Sequence, residues 1–472
     1  MNDPTHVRLC SGPPWHLEVQ LERVGGDLLC RIHGGDHHIG AVAMSQWDSG
    51  QARTERLTAE GHKEGELAAH AAHRLCKASR RRVTCIAGIH FDSLSRPQID
   101  EIVEAVHILT RRAARSLAQR RRLEALEAPG CLLHRIAPAK ERLSAELTEY
   151  LALPLDEAVS LARSDASAAV TDHFDNRVAV FAPLYLSNAC ANDCRYCGFR
   201  ASATIDRARL SVDGAVSEAR HLVSAGHRMI DLVTGEIATD AFVDYVCEAT
   251  RAILAQTDIR RVNLNLGALS TEQYRRLREA GATGYNLYQE TYAPRTYFEV
   301  HGLGLKRDMA HRLDGPHRVA AAGFEAIGLG VLLGLHDLAD DLAALAAHAE
   351  LLLEDFPDLG LGFSLPRLQR VDPDCDFQAR TLVPDAAFIR AMLWLRLRFP
   401  RAHLTLTTRE SPELRDRLLP LGVTKLSAGV STAPGGYSLD PSAAVQFDIA
   451  DLRGLPEIIE VVQRSGRTPW RG

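Results

Sequence analysis

The chain has 472 residues, of which 46% are hydrophobic and 24% charged, and its 55 Lys and Arg against 60 Asp and Glu give a net charge of -5. This balance is typical of a globular protein. It excludes a disordered or collagen-like chain. It also excludes an overall positive charge that would attract nucleic acid or membranes. At about 150 residues per domain, the length allows roughly three domains, or one large barrel with an added module.

No segment of the sequence indicates export or membrane insertion. The first twenty residues carry prolines and scattered charges without an apolar run, and the apolar segment 326–335 is shorter than the roughly 20 residues of a membrane helix. We therefore expect a cytoplasmic protein. Disulfides are rare in that reducing compartment, so the three of ten cysteines that fall within eight residues indicate a metal or catalytic site.

Residues 1–128 are predicted to form an N-terminal α+β accessory domain. Three short strand-like runs, a helix and a buried strand follow one another at Leu17–Glu22, Leu28–His33, Ile39–Met44, Glu64–Ser79 and Val83–Ile89. An arginine-rich helix begins near residue 97. We interpret it as a solvated connector rather than a nucleic-acid patch, because no aromatic residues are interleaved. Pro129 and Gly130 end this helix and mark the domain boundary.

Residues 129–472 are predicted to form an α/β domain, a (β/α)8 barrel of the TIM type with a helical lead-in over residues 132–171. Eight apolar runs of strand length follow, at 178–186, 229–234, 260–266, 284–288, 325–332, 361–365, 403–407 and 423–427. Helical patterns separate them, at 213–225, 240–256, 270–280, 308–322, 339–355, 385–398 and 412–419. Eight alternating strands close a parallel barrel, whose chemistry lies in the loops that follow the strands.

The loop after the first barrel strand carries Cys190, Cys194 and Cys197 in a Cys-x3-Cys-x2-Cys spacing. Cysteine thiolates are the usual ligands of iron–sulfur clusters, and three of them would leave one iron open for a further ligand. A structural zinc site would need a fourth ligand at short range, whereas His173 lies seventeen residues upstream and Cys247 fifty residues downstream. The spacing therefore favours a cluster.

This loop, with Tyr196 before its last cysteine, resembles the radical S-adenosyl-L-methionine (SAM) superfamily. More narrowly, the chain resembles the subfamily of the thiamine-pathway tyrosine lyase (2-iminoacetate synthase) and the hydrogenase maturase that also cleaves tyrosine. Over residues 132–470, the matching stretches are Ala182–Phe199, Val233–Glu236, Tyr288–Tyr292, Leu406–Glu410, Ser427–Gly429 and Pro434–Tyr437. The resemblance implies a radical SAM barrel with a [4Fe-4S] cluster on the three cysteines and SAM as second cofactor.

The resemblance also implies roles for residues at the other strand ends. The residues expected to contact SAM are Tyr196, Gly235, Glu236, Glu290 and Arg312. Arginine suits a carboxylate because it binds it through two parallel hydrogen bonds. Taken alone, Glu236 would be a surface carboxylate beside a turn glycine, and Arg312 a solvated helix residue.

At the seventh strand end, the resemblance implies that Arg409 and Thr407 hold the substrate carboxylate. Thr407 stands where relatives have serine, and it keeps the hydroxyl. The alternative for Arg409 is a surface ion pair with Glu410.

The implied reaction is radical cleavage of tyrosine. An electron from a donor such as flavodoxin or ferredoxin enters the cluster, SAM yields methionine and a 5′-deoxyadenosyl radical, and the radical takes a hydrogen from the tyrosine amino group. The Cα–Cβ bond then breaks to give 2-iminoacetate and p-cresol, for thiamine or another cofactor pathway, and a protein partner could accept the product. The maturase branch has additional C-terminal cysteines, whereas none follows Cys375 here, which favours the thiamine-type lyase.

Three alternatives stay open at this point: a tryptophan lyase-type enzyme, a HydG-like maturation enzyme, and a degenerate scaffold that binds cluster or SAM without turnover. Residues 1–125 weakly resemble the small D subunit of gallate-type decarboxylases, in the stretches His38–Ala43, Gly61–Glu64 and Ala87–Asp92. This implies a flavin-handling accessory module, in which His62, Lys63 and His90 could bind an anionic ligand. A plain α+β packing domain is the alternative.

Overall fold

The computed structural model describes residues 7–12, 14–126, 128, 130–369 and 377–472, so Cys375 lies outside the described residues. The chain divides into two compact units, Met1–Ala128 and Pro129–Gly472. None of the helices that the structure describes is both long enough and apolar enough to cross a bilayer.

The first unit is a six-stranded sheet with two helices. Its elements are β1 (Val7–Cys10), β2 (Leu17–Val24), β3 (Asp27–Gly35), β4 (Ala41–Asp48), β5 (Gln51–Thr58), α1 (Gly65–Ser79), β6 (Val83–His90) and α2 (Arg96–Leu126). The strand order is β1-β2-β3-β6-β4-β5, and β3 and β6 pair in parallel while the other neighbours are antiparallel. Apolar residues of β2, β3, β6, α1 and α2 pack into one core.

The sheet differs from the sequence prediction at its edges. Strands β1 and β5 were not predicted, because both lie at sheet edges and β5 carries mostly exposed polar side chains. Strand β4 begins at Ala41 rather than Ile39, whose side chain is 63% exposed. An edge strand is held by backbone pairing with one neighbour, so its sequence need not show the apolar alternation by which strands are recognised.

The second unit begins with two helices where one continuous helical pattern was predicted. These are α3 (Leu132–Ala152) and α4 (Leu155–Phe174). The break falls at Leu153 and Pro154, which are both in extended conformation. Proline restricts the preceding residue to such conformations, so the first helix ends there.

Eight parallel strands form a closed barrel, which confirms the predicted (β/α)8 fold. They are β7 (Arg177–Ser187), β8 (Met229–Thr234), β9 (Arg261–Asn265), β10 (Gly284–Asn286), β11 (Ala326–Gly330), β12 (Gly360–Ser364), β13 (His403–Leu406) and β14 (Lys425–Ser427). Each strand pairs with the next in the chain, and β14 pairs with β7 to close the ring. The helices that follow the strands are α5 (Val212–Ser224), α6 (Asp240–Gln256), α7 (Thr271–Glu279), α8 (Pro294–Val300), α9 (Met309–Leu313), α10 (Gly315–Ala321), α11 (Leu338–Asp355), α12 (Asp385–Arg398), α13 (Pro412–Leu418) and α14 (Leu455–Arg464).

Two further differences concern this barrel. The predicted helix 308–322 is divided into α9 and α10 at Asp314, because Pro316 lies in the first turn of the second helix and cannot donate to a preceding turn. After α14, a short strand β15 (Thr468–Trp470) pairs in parallel with the beginning of β7. Neither β15 nor α14 was predicted, since both follow the last strand that the eightfold repeat requires.

Candidate active site

A cavity of about 210 Å³ opens at the carboxyl ends of the barrel strands. Loops after β7, β8, β10, β13 and β14 contribute to its wall. All ten barrel residues singled out from the sequence line it, namely Cys190, Cys194, Tyr196, Cys197, Gly235, Glu236, Glu290, Arg312, Thr407 and Arg409. The fold thus brings together residues that are up to 219 positions apart, from Cys190 to Arg409.

The cysteine loop is fixed at its start by Asn188, which is fully buried. The Asn188 Nδ2 group donates to the Asp206 carbonyl at 2.8 Å, and its Oδ1 accepts from the Ala208 backbone at 2.7 Å. Arg207 donates to the carbonyls of Asn188 and Phe199 at 2.9 and 3.0 Å. These bonds tie the two ends of the loop together, so the cysteines between them are held in a defined arrangement.

The three cysteine sulfur atoms are spaced more widely than the ligands of a single metal ion. Burial raises the pKa of the Cys190 thiol, and the backbone N–H groups of Asn192 and Glu236, which donate to its Sγ at 3.4 and 3.3 Å, partly offset this effect. Among the described residues, the three thiols do not form a group whose ligand atoms all lie within 4.8 Å of one another. Thiolates around one zinc ion would lie about 3.8 Å apart, so a larger iron–sulfur core fits the spacing better.

Gly235 lets the cysteine loop pack against the end of β8. A Cβ atom at this position would lie 2.2 Å from the Ala189 carbonyl oxygen and 2.8 Å from Cys190 Cβ. The Gly235 backbone N–H donates to the Ser187 carbonyl at 3.0 Å. Because Gly235 has no side chain, the ends of β7 and β8 can meet at the cysteine loop.

Tyr196 is held by His301, to which the sequence assigned no role. The His301 ring is fully buried, and burial lowers its pKa well below the ordinary value, so it is neutral. Its Nδ1 contacts the Tyr297 carbonyl at 2.8 Å and donates the ring proton there, which leaves Nε2 to accept from the Tyr196 hydroxyl at 2.8 Å. His301 also forms an isolated antiparallel bridge with Cys194.

Glu236 is a buried carboxylate surrounded by donors. It accepts from Asn192 Nδ2 at 2.7 Å and from the Ala268 backbone at 2.9 Å, and one Arg312 nitrogen lies 3.3 and 3.4 Å from its two oxygens. A carboxylate offers about four acceptor sites, so these four contacts satisfy it. The turn-glycine alternative for this position is wrong, because Glu236 is only 6% exposed and faces the cavity.

Arg312 is also buried, at 5% exposure, and its guanidinium is already oriented. Its Nε and one terminal nitrogen donate to the Tyr288 carbonyl at 2.8 and 2.6 Å. Glu290 lies 3.9 Å from the same guanidinium and pairs with Lys306 at 2.6 Å. Two carboxylates and two cations therefore form a cluster without net charge at the cavity wall.

Glu290 adopts a left-handed backbone conformation with φ of 71°. This conformation is uncommon for a residue with a side chain and costs about 1–3 kcal/mol. The Leu332 N–H donates to the Glu290 carbonyl at 2.8 Å and holds the strained segment. From this backbone position the carboxylate pairs with Lys306 and lies 3.9 Å from Arg312.

Arg409 lies on the opposite wall, next to Thr407. Its guanidinium carbon lies 3.4 Å from the ring centroid of Phe447, and burial lowers its pKa. The surface-pair alternative is wrong, because Glu410 is 2% exposed and pairs instead with Arg367, whose Nε donates at 2.8 Å. Among the described residues, no carboxylate forms an ion pair with Arg409.

Several residues of the site were not found from the sequence. Asn192 bridges two parts of the wall, because its Oδ1 accepts from the Lys306 backbone at 2.9 Å while its Nδ2 holds Glu236. Gln446 reaches the cysteine loop from beyond β14: its Nε2 lies 3.7 Å from Cys197 Sγ and its Oε1 accepts from Tyr185 at 2.7 Å. Asn192 stands inside the cysteine motif and could have been suspected, whereas nothing in the local sequence marks Gln446.

Comparisons with known proteins show which families the two units resemble. Residues 184–349 match the family model of the Radical SAM superfamily, and residues 364–468 match the Biotin and Thiamin Synthesis associated domain. The 2-iminoacetate synthase of Escherichia coli (strain K12) is 33% identical over 300 residues, covering 63% of this chain and 78% of that protein. Residues 12–118 match the Prenylated flavin chaperone LpdD-like domain, which confirms the resemblance of the N-terminal unit to the decarboxylase D subunit.

Solved structures give the same result for the barrel. A crystal structure of HydG, a maturase of the [FeFe]-hydrogenase, has a TM-score of 0.65 at 30% identity, covering 75% of this chain and 79% of that one. HydG from Carboxydothermus hydrogenoformans has a TM-score of 0.64 at 33% identity, covering 74% and 83%.

Proposed function

The chain belongs to the radical SAM superfamily, as a relative of 2-iminoacetate synthase and HydG, and on this premise we propose that it is a lyase that cleaves the Cα–Cβ bond of tyrosine. Enzymes of this superfamily use a [4Fe-4S] cluster and SAM, which together supply a 5′-deoxyadenosyl radical that takes one hydrogen atom from the substrate. The net products are 2-iminoacetate and p-cresol, whose atoms sum to those of tyrosine. The 4-hydroxybenzyl fragment takes up one electron and one proton, so an external electron donor such as flavodoxin or ferredoxin is required.

The chain's own residues would hold the cofactors in defined positions. Cys190, Cys194 and Cys197 would ligate the cluster, with backbone N–H groups at Cys190 Sγ stabilising the thiolate. The buried neutral group of Glu236, Glu290, Lys306 and Arg312 matches a zwitterion such as the methionyl end of SAM, which also carries one positive and one negative group.

On the substrate side, Arg409 and Thr407 would bind the tyrosine carboxylate. The observation that carries the proposal is Arg409 itself: a half-buried guanidinium that faces the cavity, stacked on Phe447 and without an ion-pair partner among the described residues. A guanidinium that lines a cavity without an anionic partner is suited to bind the carboxylate of a ligand. An amino acid carboxylate would supply that partner and would fix the amino nitrogen within reach of the radical.

The test is a product assay under anaerobic conditions. Reconstituted protein with SAM, dithionite and tyrosine should yield p-cresol and 5′-deoxyadenosine in proportion to each other. Tryptophan, assayed in parallel, should yield deoxyadenosine without carbon–carbon cleavage. If tryptophan is cleaved and tyrosine is not, the substrate assignment is wrong while the superfamily stands. If neither yields deoxyadenosine although the cluster shows its EPR signal, the chain is a scaffold.

The product defines what must follow. 2-Iminoacetate is an imine that water hydrolyses, so an acceptor must consume it soon after release, in the thiamine pathway or another cofactor pathway. A protein partner would shorten the exposure to water.

A further inference from the structure

A cluster of two histidines and a glutamate lies in the N-terminal unit, remote in sequence from the barrel. His38 lies in the loop between β3 and β4, and His62 and Glu64 lie between β5 and α1. Their ligand-capable atoms all lie within 4.8 Å of one another. His38 Nε2 is 3.2 Å from His62 Nδ1 and 3.4 Å from Glu64 Oε1, and His62 Nδ1 is 3.6 Å from Glu64 Oε2.

These separations match those of ligands around one ion better than those of a hydrogen-bonded chain. Bonds of about 2.0–2.1 Å in a tetrahedral zinc site place neighbouring ligand atoms about 3.3–3.4 Å apart. Hydrogen bonds between a ring nitrogen and a carboxylate lie at about 2.7–3.2 Å, so the contacts of Glu64 at 3.4 and 3.6 Å are too long for them. The two ring nitrogens and the Glu64 carboxylate are thus close enough to share one ion, although each histidine lies nearest to a different carboxylate oxygen.

Neighbouring backbone groups fix the orientation of these side chains by hydrogen bonds, as they do for the ligands of metal sites. The other ring nitrogen of His38, Nδ1, lies 3.2 Å from the Asp36 carbonyl. Donation of the ring proton there leaves the lone pair on Nε2, which faces His62 and Glu64. Glu64 accepts from the Lys63 backbone at 2.9 Å on one oxygen and from the Ile89 backbone at 3.4 Å on the other.

Gly40 provides the space that the cluster occupies. A Cβ atom there would lie 2.7 Å from Glu64 Oε2 and 2.9 Å from His62 Nδ1. The side chain of Glu64 is 11% exposed, whereas those of His38 and His62 are 25% and 34% exposed. The glutamate therefore closes the inner side of the cluster, and the outer side is open to solvent.

We propose that His38, His62 and Glu64 bind one divalent transition-metal ion of the zinc class, with a fourth position open to water or another oxygen donor. Two histidines, one carboxylate and an open position are the ligand set of zinc sites that bind a ligand, rather than of closed structural sites. This site is independent of the radical chemistry of the barrel.

The test uses the full chain with its iron–sulfur cluster reconstituted, because the cluster then occupies the three cysteines that would otherwise take up zinc. The protein is incubated with zinc sulfate and desalted, and its zinc and iron are counted by mass spectrometry. We expect one zinc per chain. X-ray absorption at the zinc edge, which is separate from the iron edge, should show only nitrogen and oxygen neighbours.

Variants locate the ion. His38→Ala and His62→Ala should each weaken zinc binding by at least about tenfold without changing the iron content. His37→Ala is the matched control, because His37 is exposed and its ring contacts that of His33, with the ring centroids 4.2 Å apart. It should bind zinc as the parent does. Glu64→Gln, which keeps the shape of the side chain, tests the site if either alanine variant does not fold, and it should show the same loss.

Three results would overturn the proposal. One is the absence of bound zinc in the parent protein. The second is full zinc retention in the folded His38 and His62 variants, or in Glu64→Gln. The third is a sulfur neighbour in the zinc absorption spectrum, which would place the ion on cysteine.

Discussion

Arg409 offers the sharpest test of the proposed active site. This residue is half-buried, its guanidinium carbon lies 3.4 Å from the Phe447 ring centroid, and none of the described carboxylates pairs with it. A charge-assisted hydrogen bond contributes about 1.5–3 kcal/mol, and each 1.4 kcal/mol corresponds to a factor of ten. Arg409→Gln removes the charge and should therefore lower kcat/KM for tyrosine by about 10- to 150-fold. Arg409→Lys keeps the charge but loses the planar fork, so its activity should lie between those of Gln and the parent.

The assay follows p-cresol against tyrosine concentration under anaerobic conditions. Tyramine, which lacks the carboxylate, serves as the second substrate: the parent should prefer tyrosine, and Arg409→Gln should lose most of that preference. Deoxyadenosine formed without tyrosine should change less than twofold, because Arg409 is not assigned to the cluster or SAM. Arg401→Gln, at an exposed arginine beside the same strand, is the control. If Arg409→Gln keeps its preference for tyrosine over tyramine, the assigned role is wrong.

Three further outcomes are expected. Gly235→Ala should lose most of its cluster, measured as iron content and EPR signal, because the new Cβ would lie 2.2 Å from the Ala189 carbonyl; Gly130→Ala, which has open space, should keep it. Asp451→Asn should cost about 3–5 kcal/mol, seen as a lower Tm, because it leaves the buried Arg415 partly unpaired, whereas Asp448→Asn, at an exposed position, should have little effect. Burial lowers the pKa of His227 from 6.5 to about 4, so the unfolded chain takes up a proton that the folded one excludes, and stability falls as the pH drops below 6.5. At pH 5 this amounts to about 2 kcal/mol, and the loss of Tm between pH 7.5 and pH 5 should be smaller in His227→Leu; an equal loss would contradict the assignment.

The sequence identified those parts of the site that stand at the ends of buried strands. Cys190, Gly235, Glu290 and Arg409 each follow a strand, and a parallel barrel gathers such positions at one rim. The three cysteines are also close in sequence, so their spacing is visible without any knowledge of the fold.

What the sequence could not reveal are the contacts made between distant segments. The orientation of the Arg312 guanidinium is an example. The sequence indicates a cation at this position, but not that two of its nitrogens donate to the Tyr288 carbonyl. Edge strand β5 and the division between α9 and α10 were missed for local reasons, namely the lack of an apolar pattern and a proline read as part of a continuous helix. His301 shows a further limit, since no sequence pattern distinguishes a single histidine that positions another residue from one that is catalytic.

The contact between Gln446 and Cys197 spans 249 residues. A ribosome adds about 5–20 residues per second, so this glutamine emerges roughly 10 to 50 seconds after the cysteine to which it donates. Strand β15, which pairs with the start of β7, emerges later still. The pocket for the cluster is therefore complete only when nearly all of the barrel has been made. Cluster delivery is best suited to a finished chain, and until then the three thiols depend on the cell to keep them reduced.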